Sequence, residues 1–483
     1  MKIKIKNILL STVFVLTSVT QGSVIVSGDS HSFNKRQATE KFKYTTNCRE
    51  EDSKNICNNV EEITKKITTD LSNTLEIYNT VTFNVYVDKL SKYEKEDTLL
   101  CQCVDINTVA LKMTGDDTIS YVYPLALAKQ LTLDKNVPPR ENDFTLVVNI
   151  DSIKKKMEGN TNALYMAMLH EMLHGFGIFQ DLQLKKINKN DVNYVLLPKP
   201  IAVTTREEIE SIQSISDFDV FSLKFGGFLP LSIYEKNIVD LASGNRNYLL
   251  TNLSSLYQNL NCFNPGISID EMRNEDYKNC MAKLPQPTQQ LMSSIPEQYY
   301  LKGHSMGFLT SEGKVIPLQT YDKEYHSDTS VIHIEFSKSA EFYQYMDSVV
   351  SDRSQFSPDQ YIHEDNVGNF FDENLLMCPR NSNMYLSESL FLSTVGKNNK
   401  YGWISPDILS MLTTMGWTEK GKEKATTNYI IDSDINLPES INFPLTLKEY
   451  YPKQSTSHST SNRVTLSSIL FVSLIYFIIS LFL

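Results

Sequence analysis

The sequence is poor in positive charge, in histidine and in tryptophan. Among its 483 residues, 46 lysines and arginines stand against 57 aspartates and glutamates, and the formal net charge is -11. No run of basic residues occurs, whereas nucleic-acid binding requires a basic surface. We therefore expect no nucleic acid among the partners. Because only eight histidines are present, two of them at a short regular spacing are informative. The 41% of residues that are hydrophobic can supply a large core.

The N-terminus has the pattern of a secretory signal peptide. A basic region with three lysines precedes an apolar stretch, residues 8–19, that is too short to span a membrane comfortably. Gly22 then offers a small residue for cleavage, so residues 1–22 are predicted to be removed. Residues 23–54 are predicted to be a short polar pro-segment.

The C-terminus is apolar and carries no charge from Val464 to Leu483. A membrane-spanning helix is usually followed by basic residues, whereas small and polar residues before an apolar tail are the pattern of a GPI-attachment signal. We predict a polar linker over residues 446–465 and a GPI-attachment signal over residues 466–483, so that a lipid anchor holds the chain on the membrane. A C-terminal membrane helix is the alternative, and both place the chain at the cell surface. The candidate attachment residues are Ser455, Ser457 and Ser459.

Seven cysteines are present, and in an oxidising compartment most should be paired. The odd number leaves at least one unpaired within the chain. The short, loop-rich separation of Cys262 and Cys280 suggests a local bridge, and a sequon at Asn252 is typical of a secreted glycoprotein. The cysteines are Cys48, Cys57, Cys101, Cys103, Cys262, Cys280 and Cys378.

Apolar spacing predicts an α+β order in the N-terminal part of the chain. Residues 81–88 alternate and are rich in valine and phenylalanine, and residues 143–151 form a second apolar run, so both are predicted strands. A helix, two strands and a further helix in this order indicate one sheet with packed helices. Helical spacing is seen at Val60, Ile63, Ile67, Leu71 and Leu75.

The sequence AMLHEMLHGFGIF, residues 167–179, carries the main functional signal. On a helix, His170 and His174 lie on one face and can bind the same metal ion. Glu171 lies beside the first of them, where it can take a proton from a metal-bound water without ligating the metal. This HExxH arrangement is that of zinc peptidases, and the alternative is a buried helix with two structural histidines. Residues 160–162 can cap this helix at its start.

The glycines after the motif distinguish two classes of third ligand. In one class a downstream glutamate completes the site, for which Glu207, Glu208 and Glu210 are available. In metzincins a glycine turns the chain and a histidine completes the site, and Gly177 stands at that position. The compact metzincin spacing would place the histidine where this sequence has Gln180. The histidine must therefore come from beyond a long insertion.

Among the downstream histidines, His363 is the predicted third ligand. Met377 follows it after a modest loop, and metzincins need a methionine turn beneath the metal, where a flexible apolar side chain fits. His333 lies in an alternating, strand-like run and is interpreted as a structural side chain, and it stays an alternative ligand together with His304. His326 lies in a charged loop.

These features resemble the leishmanolysin family of surface metalloproteases. An HExxHxxG motif is followed by a long insertion, a distant histidine and a Glu-Asn-Leu-Leu-Met segment at residues 373–377. The sequence SPDILSMLTTMGW, residues 405–417, is similar to the last catalytic-domain helix of that family, with Ser405 as cap, Pro406 at the start and Gly416 at the end. The resemblance covers roughly residues 55–417.

The resemblance implies one zinc ion per chain and a set of residues to hold and use it. Two departures from the family are that no histidine flanks Cys48, as a cysteine-switch motif would require, and that cysteines are fewer. The implied zinc ligands are His170, His174 and His363, with Glu171 as catalytic base and Met377 as methionine turn.

The predicted fold is an α+β, metzincin-like zincin fold with a twisted mixed sheet and an active-site helix. Residues 55–180 would form the N-terminal catalytic subdomain, residues 181–355 a central insertion, and residues 356–445 a mainly irregular and helical C-terminal subdomain. The predicted function is that of an extracellular, membrane-anchored zinc endopeptidase acting on proteins or peptides. The alternative is a surface antigen or adhesion protein that retains the fold without activity.

Overall fold

The chain folds as an α+β protein, as the sequence predicts, with several separate sheets and helices between them. The predicted signal peptide, the C-terminal tail, Asn252 and the glutamates at positions 207–210 lie outside the residues that the structure describes. The computed structural model describes residues 33–38, 41–48, 54–88, 100–115, 119–156, 161–186, 194–198, 200–202, 225–241, 248–251, 253, 276, 279–280, 282–320, 330–351, 356, 358–379, 386–435 and 437.

The strands and helices alternate along most of this length. The strands are β1 (Phe33–Ala38), β2 (Phe42–Cys48), β3 (Leu75–Glu76), β4 (Val81–Asp88), β5 (Cys101–Val104), β6 (Thr108–Met113), β7 (Tyr121–Pro124), β8 (Thr132–Leu133), β9 (Phe144–Asn149), β10 (Leu182–Lys186), β11 (Tyr194–Pro198), β12 (Pro200–Ala202), β13 (Phe225–Phe228), β14 (Ile238–Asp240), β15 (Met306–Leu309), β16 (Val315–Gln319), β17 (Ser330–Ile334), β18 (Thr418–Glu419) and β19 (Asn428–Ile431). The α-helices are α1 (Lys54–Thr74), α2 (Leu125–Ala128), α3 (Ile150–Lys156), α4 (Thr161–Gly175), α5 (Ile233–Lys236), α6 (Gln286–Ile295), α7 (Ser339–Val349), α8 (Pro358–Tyr361), α9 (Val367–Phe370), α10 (Glu388–Ser393) and α11 (Pro406–Met415). A π-helix covers Pro296–Tyr300 and a 3-10 helix covers Leu375–Met377.

A five-stranded mixed sheet in the order β1-β2-β4-β9-β5 supports the HExxH helix, α4. Strands β2, β4 and β9 run parallel, and the two edge strands β1 and β5 run antiparallel to their neighbours. The strands predicted at 81–88 and within 143–151 are confirmed as β4 and β9, and the predicted first helix is α1. Helix α1 packs against both α4 and β2, with its predicted apolar face buried.

Two strands of this sheet come from the segment interpreted as a polar pro-segment. In β2 the side chains of Phe42, Tyr44, Thr46 and Cys48 are buried in alternation with more exposed ones. Their period of two is that of a strand with one buried face, although two of the four residues are polar or small. Because β2 pairs with β4 over its whole length, this part of the segment is integral to the sheet.

The central insertion adds an antiparallel four-stranded sheet in the order β14-β15-β16-β17. Its buried side chains, such as Phe308 and Val331, belong to the same hydrophobic cluster as those of the five-stranded sheet and of α11. The insertion is therefore packed onto the sheet and helix that precede it. This packing is what brings β17 to the HExxH helix, α4.

Helix α11 has the limits that the sequence predicts. The Ser405 hydroxyl accepts a hydrogen bond from the backbone N–H of Ile408, Pro406 is the first helical residue, and Gly416 ends the helix at a φ of 123°. The Trp417 indole that follows stacks on Phe176 at 4.6 Å between ring centroids and donates to the Phe176 carbonyl at 2.8 Å. The C-terminal helix therefore fixes the turn that follows the HExxH motif.

The disulfide pattern agrees in part with the prediction. Cys48 at the end of β2 is bonded to Cys57 in α1, which joins the sheet to that helix. Cys280 is disulfide-bonded, whereas Cys262, its predicted partner, lies outside the described residues. Cys103 and Cys378 are free thiols, in agreement with the odd number of cysteines. Within the described parts of the chain, no helix has both the length and the apolar character needed to cross a membrane.

Candidate metal centre

Helix α4 places the two motif histidines and Glu171 side by side in the interior. It runs from Thr161 to Gly175, and both histidines and the glutamate are buried. The Nε2 atoms of His170 and His174 lie 3.1 Å apart, which confirms that the four-residue spacing places them on one face. Two imidazole nitrogens at this distance can share a metal ion.

The other ring nitrogen of each histidine is held by a backbone carbonyl. His170 Nδ1 is 2.6 Å from the carbonyl oxygen of Leu376, and His174 Nδ1 is 2.6 Å from that of Ile178. Because a carbonyl oxygen only accepts hydrogen bonds, Nδ1 carries the proton in both rings. Each Nε2 is then left with a lone pair, which is the arrangement that second-shell carbonyls impose on metal-ligating histidines.

The third imidazole at this point belongs to His333, on strand β17. Its Nε2 lies 3.2 Å from that of His170, and the three rings have centroids 4.8 to 5.4 Å apart. The ligand atoms of these three histidines all lie within 4.8 Å of one another. In a tetrahedral zinc site with Zn–N bonds near 2.05 Å, nitrogens are about 3.3 Å apart, so two of the three separations already match.

His363, the predicted third ligand, is not part of this group. Its side chain is exposed, and its carbonyl accepts the backbone N–H groups of Asn366 and Val367 in the turn that starts α9. The described structure therefore does not bring His363 together with the motif histidines; the histidine that it brings to them lies in the insertion sheet. The alternative His304 is also excluded, since its side chain is 79% exposed and pairs with Glu335. His326 lies outside the described residues.

His333, which the sequence suggested to be a structural side chain with ligation as the alternative, lies with the two motif histidines. The strand prediction for its segment is right, since β17 covers Ser330–Ile334. An imidazole within the apolar run VIHIEF was a usable signal, because buried polar side chains need a partner. The pairing partner could not be predicted, since His333 is 163 residues from His170 and is brought there by the packing of two sheets.

Met377 lies in the 3-10 helix Leu375–Met377, and its side chain is fully buried. The carbonyl that holds His170 belongs to Leu376, the preceding residue of the same turn. The segment predicted as a methionine turn therefore contacts the motif helix directly at the first histidine. Nothing in the sequence singles out Leu376, because its contact to His170 is made by the backbone carbonyl.

Gly177 makes the carbonyl of Ile178 available to His174. Gly177 has a φ of 129°, which side chains rarely allow, and it stands at the left-handed position of a Schellman motif. The N–H of Ile178 bonds to the Leu173 carbonyl, and the N–H of Gly177 bonds to the His174 carbonyl. The glycine predicted to turn the chain after the motif thus also places the carbonyl that orients the His174 ring.

A Gly177→Ala variant is expected to lose about 1–3 kcal/mol of unfolding free energy and to bind zinc more weakly. A methyl group at this φ is strained, and it would also meet Met415 Sδ and Pro124 Cγ at 3.4 Å. Thermal denaturation and a zinc competition titration measure the two effects. Gly421→Ala is the matched control, because Gly421 has a φ of 79° with open space around it and should lose stability but not zinc affinity. Equal zinc affinity in both variants would contradict the role of the turn.

Glu171 is held at the edge of the five-stranded sheet. The backbone N–H of Cys103, on edge strand β5, donates to Glu171 Oε2 at 2.9 Å. Gln180, which occupies the position of the compact third ligand, instead donates through Nε2 to the Tyr300 hydroxyl at 2.9 Å. The carboxylate is thus fixed beside the three imidazoles, and Gln180 is engaged elsewhere.

The donor set fits a zinc ion. Three neutral imidazoles are a common catalytic zinc set that leaves a fourth position for water or substrate, and a nearby carboxylate is not needed as a ligand. His170, His174 and His333 are the residues that would hold the ion. The two backbone carbonyls on Nδ1 provide the second shell that such a site requires.

Comparison with known proteins gives a family for most of the chain. A family model described as SPBPB7E8-like matches residues 17–431. No curated protein and no solved structure was found to match the chain.

Proposed function

The chain belongs to the SPBPB7E8-like family, and we propose that it is a zinc-dependent endopeptidase with His170, His174 and His333 as metal ligands and Glu171 as general base. The observation that carries this proposal is the convergence of three imidazoles beside the buried carboxylate of Glu171. The resemblance to leishmanolysins supports the same activity, with the third ligand supplied by His333 in place of His363.

The protein residues have separate tasks in the proposed reaction. His170, His174 and His333 would hold a zinc ion, which would supply Lewis-acid chemistry that makes water more acidic and a peptide carbonyl more electrophilic. Glu171 accepts the water proton and delivers it to the nitrogen of the leaving amine, which avoids expulsion of an amide anion. The Cys103 N–H keeps the carboxylate pointed to the metal-binding face while it is charged. An extended peptide can add to the edge of the sheet at β5, beside this carboxylate.

We also propose that the protein acts outside the cell, attached to the membrane through a lipid. The N-terminal and C-terminal patterns motivate this location, and the bond between Cys48 and Cys57 supports folding in an oxidising compartment. Substrates would then be extracellular proteins or peptides that reach the edge of the sheet.

The direct test combines metal analysis with proteolysis. The secreted chain should contain one zinc ion, should cleave casein or gelatin, and should lose this activity with 1,10-phenanthroline and regain it when zinc is restored. A chain with one zinc ion but no cleavage of these or of a peptide library would favour the alternative, a surface or adhesion protein with a retained metal site. A chain without zinc would overturn the proposal at its first step.

A further inference from the structure

The short helix α5 joins three parts of the protein behind the metal centre. Ser232, its N-cap, is bridged to Val122 of β7, and the N–H of Val122 bonds to the Leu231 carbonyl. The next residues contact the strand of the third imidazole and the segment that follows the HExxH turn. We infer that Tyr234 and a neutral Glu235 are positioning residues for zinc, which hold the His333 strand and the His174 turn in register. This inference rests on the metal site of the proposed function, but not on proteolysis.

Tyr234 fixes the strand that carries His333. Its hydroxyl donates to the Val331 carbonyl at 2.6 Å, two residues before His333 on the same strand. The ring is fully buried and stacks on Phe308 of β15 at 5.2 Å between centroids. The hydrogen bond is therefore shielded from water, and it limits sliding of β17 relative to α5. His333 has to be placed within fractions of an ångström to complete a tetrahedral site.

Glu235 fixes the segment that follows the HExxH turn. Its Oε1 accepts the backbone N–H groups of Asp181 at 3.1 Å and Leu182 at 2.8 Å, and the carboxyl group is fully buried. The Ser232 hydroxyl reaches the same segment, since it lies 3.0 Å from the Phe179 carbonyl. Phe179 directly follows Ile178, whose carbonyl holds His174. Helix α5 therefore acts on the second ligand through one short stretch of backbone.

A neutral Glu235 allows all the hydrogen bonds around Ser232 to form at once, including the one from the Ser232 backbone N–H to Glu235 Oε2 at 2.8 Å. The Ser232 Oγ is 3.0 Å from both the Phe179 carbonyl and Glu235 Oε2, but a hydroxyl has one proton and a carbonyl can only accept. Both contacts are hydrogen bonds at once if the carboxyl group of Glu235 is protonated and donates to Ser232 Oγ. When Glu235 is ionised, the serine proton turns to the carboxylate and the bond to Phe179 is lost.

The surroundings of Glu235 favour the neutral form. Burial, followed by the charge of Asp181, raises the pKa of Glu235 to about 8. The titratable side chains that face it are Asp181, from the segment after the motif helix, and Tyr234, beside it on α5. The Lys236 ammonium lies over the ring of Tyr121, 4.7 Å from its centroid. At pH 7, below this pKa, most Glu235 is neutral and the contact to Phe179 is maintained.

Zinc affinity of the full chain, measured by competition with a colorimetric chelator, tests the inference. At pH 7 the variants Tyr234→Phe and Glu235→Ala should bind zinc about 10- to 100-fold more weakly than the wild type, the range seen when outer-shell partners are removed. Tyr345→Phe is the matched control, because its hydroxyl also donates to a carbonyl, that of Tyr361 at 2.7 Å, outside this junction. It should lose a similar hydrogen bond without loss of zinc affinity.

The Glu235→Gln variant tests whether ionisation of Glu235 changes zinc affinity, which a purely structural role of this residue does not predict. Glutamine keeps an acceptor toward Asp181 and a donor toward the Ser232 hydroxyl, but it loses the acceptor of the Ser232 backbone N–H, which lies 2.8 Å from Glu235 Oε2. Its zinc affinity at pH 7 should therefore lie between that of Glu235→Ala and that of the wild type. As pH rises from 7 to 9, the affinity of the wild type should fall relative to that of Glu235→Gln, since only the wild type ionises there. Wild-type zinc affinity in folded Tyr234→Phe and Glu235→Ala, or a pH-independent ratio, would overturn the inference. Zinc binding without proteolysis would instead overturn the proposed function alone.

Discussion

The Glu171→Gln variant should retain its zinc ion and lose proteolysis by at least about 10²- to 10⁴-fold, the contribution of a positioned general acid–base group. Glutamine has the shape of glutamate and can still accept the Cys103 N–H, which lies 2.9 Å from Oε2. It cannot take a proton from water or pass one to the leaving amine. Zinc content should be unchanged, because the proposed ligands are the three imidazoles and do not include this carboxylate.

Zinc analysis, casein cleavage and thermal denaturation of the same preparation separate the effects of this substitution. Glu364→Gln is a suitable control, since Glu364 is exposed and lies outside the metal centre. It changes the net charge by the same amount and should keep full activity. Retained cleavage in Glu171→Gln would remove Glu171 from the role of base, and loss of zinc would show that the carboxylate is itself a ligand.

The parts of the site that are close in sequence could be predicted from it. The positions of His170 and His174 follow from the period of an α-helix, and the helix end follows from Gly177, whose φ of 129° suits glycine. The N-cap of helix α11 at Ser405 and its end at Gly416 were also predicted from the sequence. All these features depend on interactions within about five residues, for which side-chain chemistry and spacing are sufficient.

The parts that depend on distant packing could not be predicted. Strand β2 has polar and small residues at two of its four buried positions, so its alternation is weak in the sequence, although it lies inside the central sheet. The carbonyl of Leu376 holds His170 whatever side chain that residue carries. His333 reaches the site because β17 is the last strand of a sheet formed within the insertion. The downstream Met377 directed the prediction to His363, whereas the structure brings His333 to the two motif histidines.

Replacing His333 is expected to have a large effect on zinc binding, whereas replacing His363 is not. The His333→Ala variant should lose more than about 100-fold in zinc affinity, since losing a ligand costs at least as much as losing its outer-shell partner. Two imidazoles on α4 would remain, with their Nε2 atoms 3.1 Å apart and no third nitrogen. Proteolysis should fall to background at limiting zinc. The metal-free variant should melt close to the metal-free wild type, because His333 is only partly buried on an end strand.

The His363→Ala variant is the matched control for His333→Ala, since it removes the same side chain from an exposed turn. It should bind zinc and cleave casein as the wild type does. The opposite pattern, with zinc lost in His363→Ala and kept in His333→Ala, would identify His363 as the third ligand, as the leishmanolysin resemblance implies. His333 would then not bind the metal. Zinc kept in both variants would mean that the third position is filled by a water or another side chain. A loss confined to His333→Ala would show that the insertion carries part of the metal site, so that zinc can bind only after the insertion sheet has packed onto α4.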